Sequence, residues 1–156
     1  MREVPDGGLC LSVFLVISRT GIPTDVLLGR LNNDAPWDHI GALDKARVER
    51  HSKGWMLPSS HLVLGESPDD AAKRVLLEQL GLADQPLNGP HVFSEVYDVP
   101  ATGEKKHWDI EFVFQGERDE APSYWVWREL KFAATKREEF ARGHEDILSH
   151  INRRVA

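Results

Sequence analysis

The chain has 156 residues, about one domain's length, and a chain of that size buries roughly two thirds of its unfolded surface without disulfide or metal staples. A hydrophobic fraction of 41% with 28% charged residues is ordinary for a globular protein and excludes disordered and fibrous classes. The formal net charge of −6, with basic residues scattered rather than striped, argues against a nucleic-acid binder. Cys10 is the sole cysteine, so an intrachain disulfide and any multi-cysteine zinc site are excluded, and a reducing cytoplasm is the expected compartment.

Taken in chain order, Leu9 to Ile17 is an apolar run too short to span a membrane and lacks the basic flank of a signal peptide, so it reads as a buried strand. Thr20-Gly21-Ile22-Pro23 supplies turn chemistry before Val26 to Arg30, which together predict a hairpin. Leu31 to Ser52 reads as a long loop with a short helical piece near Ala42 to Arg50, and its length makes it a candidate for ligand selection.

Ser67-Pro68-Asp69-Asp70 is a strong helix start, with serine at the cap, proline in the first turn and acids at the positive end of the helix dipole. The helix should run to Leu80 and stop at Gly81, with Ala72, Leu76 and Leu80 as its core stripe. Arg74 is spaced to pair with Asp70 and with Glu78. His91 to Val99 and His107 to Phe114 are predicted as a hairpin, Tyr124 to Trp127 as a last short strand, and Phe140 to Val155 as a terminal helix. Strands, helix, strands and helix in that order define a mixed α/β protein, expected as one domain over 1–156.

The segment SHLVLGESPDDAAKRVLLEQLGL, Ser60 to Leu82, resembles a Nudix box, G-x5-E-x7-R-E-U-x-E-E-x-G-U with U a bulky aliphatic residue. Glu66, Arg74, Leu76, Glu78, Gly81 and Leu82 match without a gap; Ser60 stands for the first glycine, Val75 for the first helical glutamate and Gln79 for the last. Trp55 to Pro58, the first hairpin, the strand at His107 to Phe114 and Trp125-Val126-Trp127 extend the likeness over most of the chain. The resemblance implies a Nudix-type α/β/α sandwich with a mixed sheet. It also implies a pyrophosphohydrolase that cleaves a nucleoside diphosphate linked to another moiety, using Mg²⁺ or Mn²⁺.

The chemistry of the box lies in its spacing. Positions 75, 78 and 79 share one helix face, and three carboxylates there would make a hard-oxygen site for Mg²⁺ or Mn²⁺. Here they read Val75, Glu78 and Gln79: no ligand, one carboxylate and one neutral amide. The resemblance assigns Glu78, Gln79 and a backbone carbonyl near Ser60 to the metal, Glu78 and Glu66 to the reaction, and to Arg74 the orienting of carboxylates. Losing a base and a metal contact would cost at least about 10²–10⁴ in rate. Replacement acids could come from Glu95, Asp98, Glu104, Asp109, Glu111, Glu117 or Asp119. Two readings follow: a weak or atypical hydrolase with metal held by Glu78 and acids outside the box, or an inactive module that binds a nucleotide or a protein. Val75 is then a core residue closing a former cleft. His61 and His107 lack paired ligand spacing, and Trp37 is the tryptophan most suited to stacking a base. Homodimerisation is a family habit without a signal in these residues.

Overall fold

The computed structural model describes residues 7–30, 54–97, 105–131, 136, 139–140 and 144–155. The 31–52 loop, its helical piece, Trp37, Asp98 and Glu104 lie outside them. The elements are β1 Leu9–Arg19, β2 Ile22–Arg30, β3 Trp55–Met56, β4 Ser59–His61, α1 Pro68–Leu80, β5 Asn88–Tyr97, β6 His107–Arg118, β7 Trp125–Glu129 and α2 His144–Val155.

Among the described residues one seven-stranded mixed sheet runs in the order β3-β2-β1-β6-β5, with β4 also on β1 and β7 also on β2. Its centre is the parallel pair β1 and β6, in unbroken register from Leu9 beside Trp108 to Arg19 beside Arg118. A central strand in such a pair is covered on both faces, and β1 divides its residues accordingly. Val13, Leu15 and Ile17 join Leu27, Met56, Phe114 and Trp125 against Ala71, Ala72, Val75, Leu76 and Leu80 of α1. Phe14 and Val16 join Val26, Leu28, Trp55, Leu57, Val113 and Leu130 against Ile147, Leu148 and Ile151 of α2. The result is the expected α/β/α sandwich with a mixed sheet. No helix among the described residues is long and apolar enough to cross a membrane.

α1 starts and stops where its chemistry predicts. The Ser67 hydroxyl accepts from the Asp70 amide at 3.1 Å and donates to the Asp70 carboxylate at 2.7 Å. Gly81 sits at φ 68°, a left-handed conformation costly for residues with a Cβ, and Leu82 N–H closes on the Leu76 carbonyl at 3.0 Å. Trp125 of β7 donates its indole N–H to the Gln79 carbonyl at 3.0 Å, satisfying one of the acceptors a helix end leaves open.

Several boundaries differ from the sequence reading. Leu9 and Leu11 are exposed, so only Ser12 to Ile17 of the first strand is buried. β6 continues past Phe114 to Arg118 because β1 supplies a partner all the way to Arg19. Phe140 is not helical; it bridges to Trp55 as an isolated parallel contact, and α2 begins at His144. The two short strands β3 and β4 have too few residues to show a period of two in sequence.

Candidate functional site

α1 buries Ala71, Ala72, Val75, Leu76, Gln79 and Leu80. Positions 75 and 79 thus face the sheet, while Glu78 lies on the shoulder with 34% of its side chain exposed. Val75 has no solvent-accessible surface and belongs to the α1-side core. A side chain enclosed by carbon can offer nothing to an ion.

Gln79 is buried too, and both ends of its amide are engaged. Its Oε1 accepts from the Ser59 backbone N–H at 3.1 Å, and its Nε2 donates to the Ser59 carbonyl at 2.7 Å. The amide therefore reads the β4 backbone as a strand partner would, satisfying two buried polar groups at once. β4 is placed for this by β1: Ser59 lies opposite Phe14, Ser60 opposite Val13 and His61 opposite Ser12.

Arg74 ties the loop between β4 and α1 to the helix. Its Nε and Nη2 donate to the two oxygens of Glu66 at 2.7 and 2.9 Å, Nη2 also donates to the His61 carbonyl at 3.0 Å, and Nη1 donates to the Ser60 hydroxyl at 3.2 Å. Glu66 also accepts from the Val63 N–H at 2.9 Å. The hydrogen bonds from Arg74 hold the Glu66 carboxyl below its ordinary value of 4.5, and Glu66 in turn raises the guanidinium. Glu78 is a looser partner, 3.6 Å from Nη1. Asp70, spaced for Arg74 as well, is occupied by the Ser67 cap instead. Of the five box residues singled out in sequence, Ser60, Glu66, Arg74 and Glu78 meet through Arg74, and Gln79 turns away to Ser59.

A second polar group lies on the other face of the sheet. The register sets Ser12 beside Glu111 and Cys10 beside Asp109, with Glu95 across from Asp109 on β5. Ser12 Oγ is 3.0 Å from His61 Nδ1, so this face reaches back to β4. Burial pushes the Glu111 carboxyl up to about 7, with Asp109, Glu95 and Asp146 adding like-charge repulsion. A carboxyl raised in the fold favours the folded state below its unfolded value near 4.5, and that stability is lost as pH rises toward 7. Glu111→Gln should therefore exceed the parent by about 3 kcal/mol at pH 8 and match it near pH 4. Urea unfolding at the two pH values measures this; a difference independent of pH would show that Glu111 is not held protonated. Glu111 and Asp109 were among the acids named from sequence, but the placing of Asp109 beside Cys10 and of Glu111 beside Ser12 depends on a parallel register that no local pattern encodes. Glu117 and Asp119 are exposed at and beyond the end of β6.

The donor set at the box does not suit a hard dication. It offers one partly exposed carboxylate, a buried valine and an amide whose oxygen already accepts a backbone N–H.

No family model matches the chain. RNA pyrophosphohydrolases of Rickettsia bellii and Rickettsia conorii are 32% identical to it over 72 residues, 46% of this chain and 45% of each relative. The match thus spans about half the length of those curated relatives. Among solved structures, a MutT protein of Methanosarcina mazei superposes with a TM-score of 0.62 at 20% identity, over 99% of this chain and 98% of that one. The Nudix domain of Shewanella oneidensis NrtR, solved with ADP ribose, gives 0.60 at 15% identity over 95% and 89%. The Ap4A hydrolase of C. elegans gives 0.59 at 16% identity over 95% and 99%. The chain has the Nudix fold. The segment Ser60 to Leu82 on that fold resembles the Nudix box and departs from its pattern at Ser60, Val75 and Gln79.

Proposed function

We propose that this chain is a single-domain Nudix module that binds a nucleoside-diphosphate-type ligand and does not hydrolyse it through the box helix. The observation that carries this reading is the Gln79 amide seated on both polar groups of Ser59. In the family a backbone carbonyl near the first box glycine helps hold the metal; here the Ser59 carbonyl, next to Ser60, receives an amide N–H instead. Val75 in the core removes a further ligand, and the Glu66-Arg74 pair has a sufficient role in holding the loop. The ligand class is supported by the fold, since the NrtR Nudix domain takes ADP ribose. NrtR has also been solved with DNA; the acidic balance of this chain favours a small molecule over nucleic acid. The lone cysteine suits a reducing cytoplasm.

The second reading is hydrolysis by acids outside the box, with Mg²⁺ or Mn²⁺ held by Glu78 and those acids. Glu78 favours it, because its carboxylate stays partly exposed and is held only loosely by Arg74, 3.6 Å from Nη1.

The two separate in one assay. The full chain is titrated calorimetrically with ADP-ribose, an NDP-sugar, a dinucleotide and a nucleoside triphosphate, and product release is followed with Mg²⁺ or Mn²⁺. Binding that survives EDTA, without turnover, is expected. Turnover abolished by Glu78→Ala would overturn the proposal, and binding of none of the four would remove the ligand class. Gln79→Glu tests the carrying observation. An ionised carboxylate cannot donate to the Ser59 carbonyl, so a loss of about 1–3 kcal/mol is expected at pH 7. A protonated one can donate and accept as glutamine does, so the loss should vanish below the ordinary carboxyl range, and Mn²⁺ at pH 7 should recover part of it.

A further inference from the structure

We propose a transition-metal site at the entry to the central parallel strands, formed by Cys10, His107 and Asp109, with Zn²⁺ as the ion its donors suit. It is separate from the box and does not rest on the function proposed above. The parallel register places Cys10 directly beside Asp109, and side chains of laterally paired residues share a sheet face. His107 lies two residues before Asp109 on β6 and so faces the same way. One ligand atom from each, Sγ, a ring nitrogen and a carboxylate oxygen, all lie within 4.8 Å of one another.

The scaffold fixes these donors closely. Gly7 N–H donates to the Lys106 carbonyl at 2.8 Å and Trp108 N–H to the Gly8 carbonyl at 3.0 Å, lacing the entries of β1 and β6 together. A Cβ on Gly7 would fall 2.5 Å from the Lys106 carbonyl oxygen, so only glycine permits that approach.

The imidazole is oriented as a ligand's is. His107 Nδ1 is 2.9 Å from the Lys105 carbonyl, and since a carbonyl only accepts, Nδ1 carries the hydrogen. A backbone carbonyl on the far nitrogen is the usual support for a metal-binding histidine. Nε2 is then directed at Asp109, 3.3 Å from Oδ1. That oxygen is shielded from solvent and has no hydrogen-bond partner among the described residues, Nε2 included, an arrangement a cation between the two would satisfy. Glu95, across from Asp109, or solvent can fill a fourth position.

Thiolate, imidazole and carboxylate together suit Zn²⁺, which is tetrahedral and borderline soft; Mg²⁺ and Ca²⁺ do not take thiolate. On binding, Cys10 Sγ–H loses its proton to solvent and the sulfur lone pair enters the metal bond.

The test is zinc titration of the reduced full chain against a chromophoric chelator, with Co²⁺ as a spectroscopic stand-in. A single equivalent of zinc is expected, weakened at least about 100-fold by Cys10→Ser and by Asp109→Asn, and unchanged by Glu78→Ala. The Co²⁺ form of the parent should show a thiolate-to-cobalt charge-transfer band, which needs no variant to fold. Absence of that band, or zinc binding indifferent to Cys10→Ser, would overturn the site and leave His107 and Asp109 as an ion pair.

Discussion

Val75→Glu is expected to destabilise the protein by about 5–7 kcal/mol at pH 7, most of the margin of an ordinary domain. Restoring the residue the box pattern calls for should thus damage this chain. Val75 is enclosed by Val13, Leu15, Leu76, Phe114 and their neighbours, with no solvent contact. A carboxyl buried there has its pKa raised to about 8–9, so the fold holds it protonated while the unfolded chain ionises it. The difference between an unfolded value near 4.3 and pH 7 amounts to about 3.7 kcal/mol, and overpacking adds about 1–3. The sign follows from the raised folded pKa: the ionisation penalty is absent below the unfolded value and grows as pH rises toward the folded one. Urea unfolding at pH 4 should therefore show only the packing loss of about 1–3 kcal/mol. Parent-like stability at pH 7 without added metal would mean that position 75 opens onto a cleft, and the proposal of an emptied box would go with it.

That result bears on what the sequence could disclose. The helix was legible to the residue because its signals are local: Ser67 and Pro68 begin it, and Gly81 ends it in a left-handed turn. The box spacing likewise identified the fold, since Glu66, Arg74 and Glu78 keep their intervals whatever they touch. Partner choice was less legible. Asp70 and Glu66 are both within Arg74's reach, and only the folded loop, with Val63 and His61 presenting backbone groups beside Glu66, decides for Glu66. Gln79 read as a weakened metal ligand because its identity says nothing about where its amide points. The strand that receives it, β4, is three residues long and carries no periodic signal. The group at Cys10, His107 and Asp109 depends on β1 and β6 lying parallel and in register, a long-range fact without trace in either strand alone.

Arg74→Met should cost about 3–4 kcal/mol at pH 7 while keeping most of the packing of the side-chain stem. Among the described residues the arginine makes four hydrogen bonds, two to Glu66 and one each to Ser60 and His61, and its removal leaves the Glu66 carboxylate with the Val63 N–H alone of these. The pair is 19% and 13% exposed, too enclosed to behave as a surface ion pair yet wet enough to keep the loss at the low end for buried ones. Glu66 is held below 4.5, so its contribution is fully present above that value and is lost as pH falls through the lowered folded pKa. The gap between parent and variant should accordingly narrow in acid, as the Glu111→Gln difference does, but here the parent is the more stable of the two. Glu66→Gln added to Arg74→Met should recover part of the loss, because it removes the charge left without its partner. The coupling from this double-mutant cycle is the decisive quantity. If it falls below about 0.5 kcal/mol, the pair is a surface contact and cannot be what holds Ser60 and His61 against the helix. A coupling of about 2 kcal/mol or more would show that the box arginine persists here for the loop it anchors, a role that needs no metal.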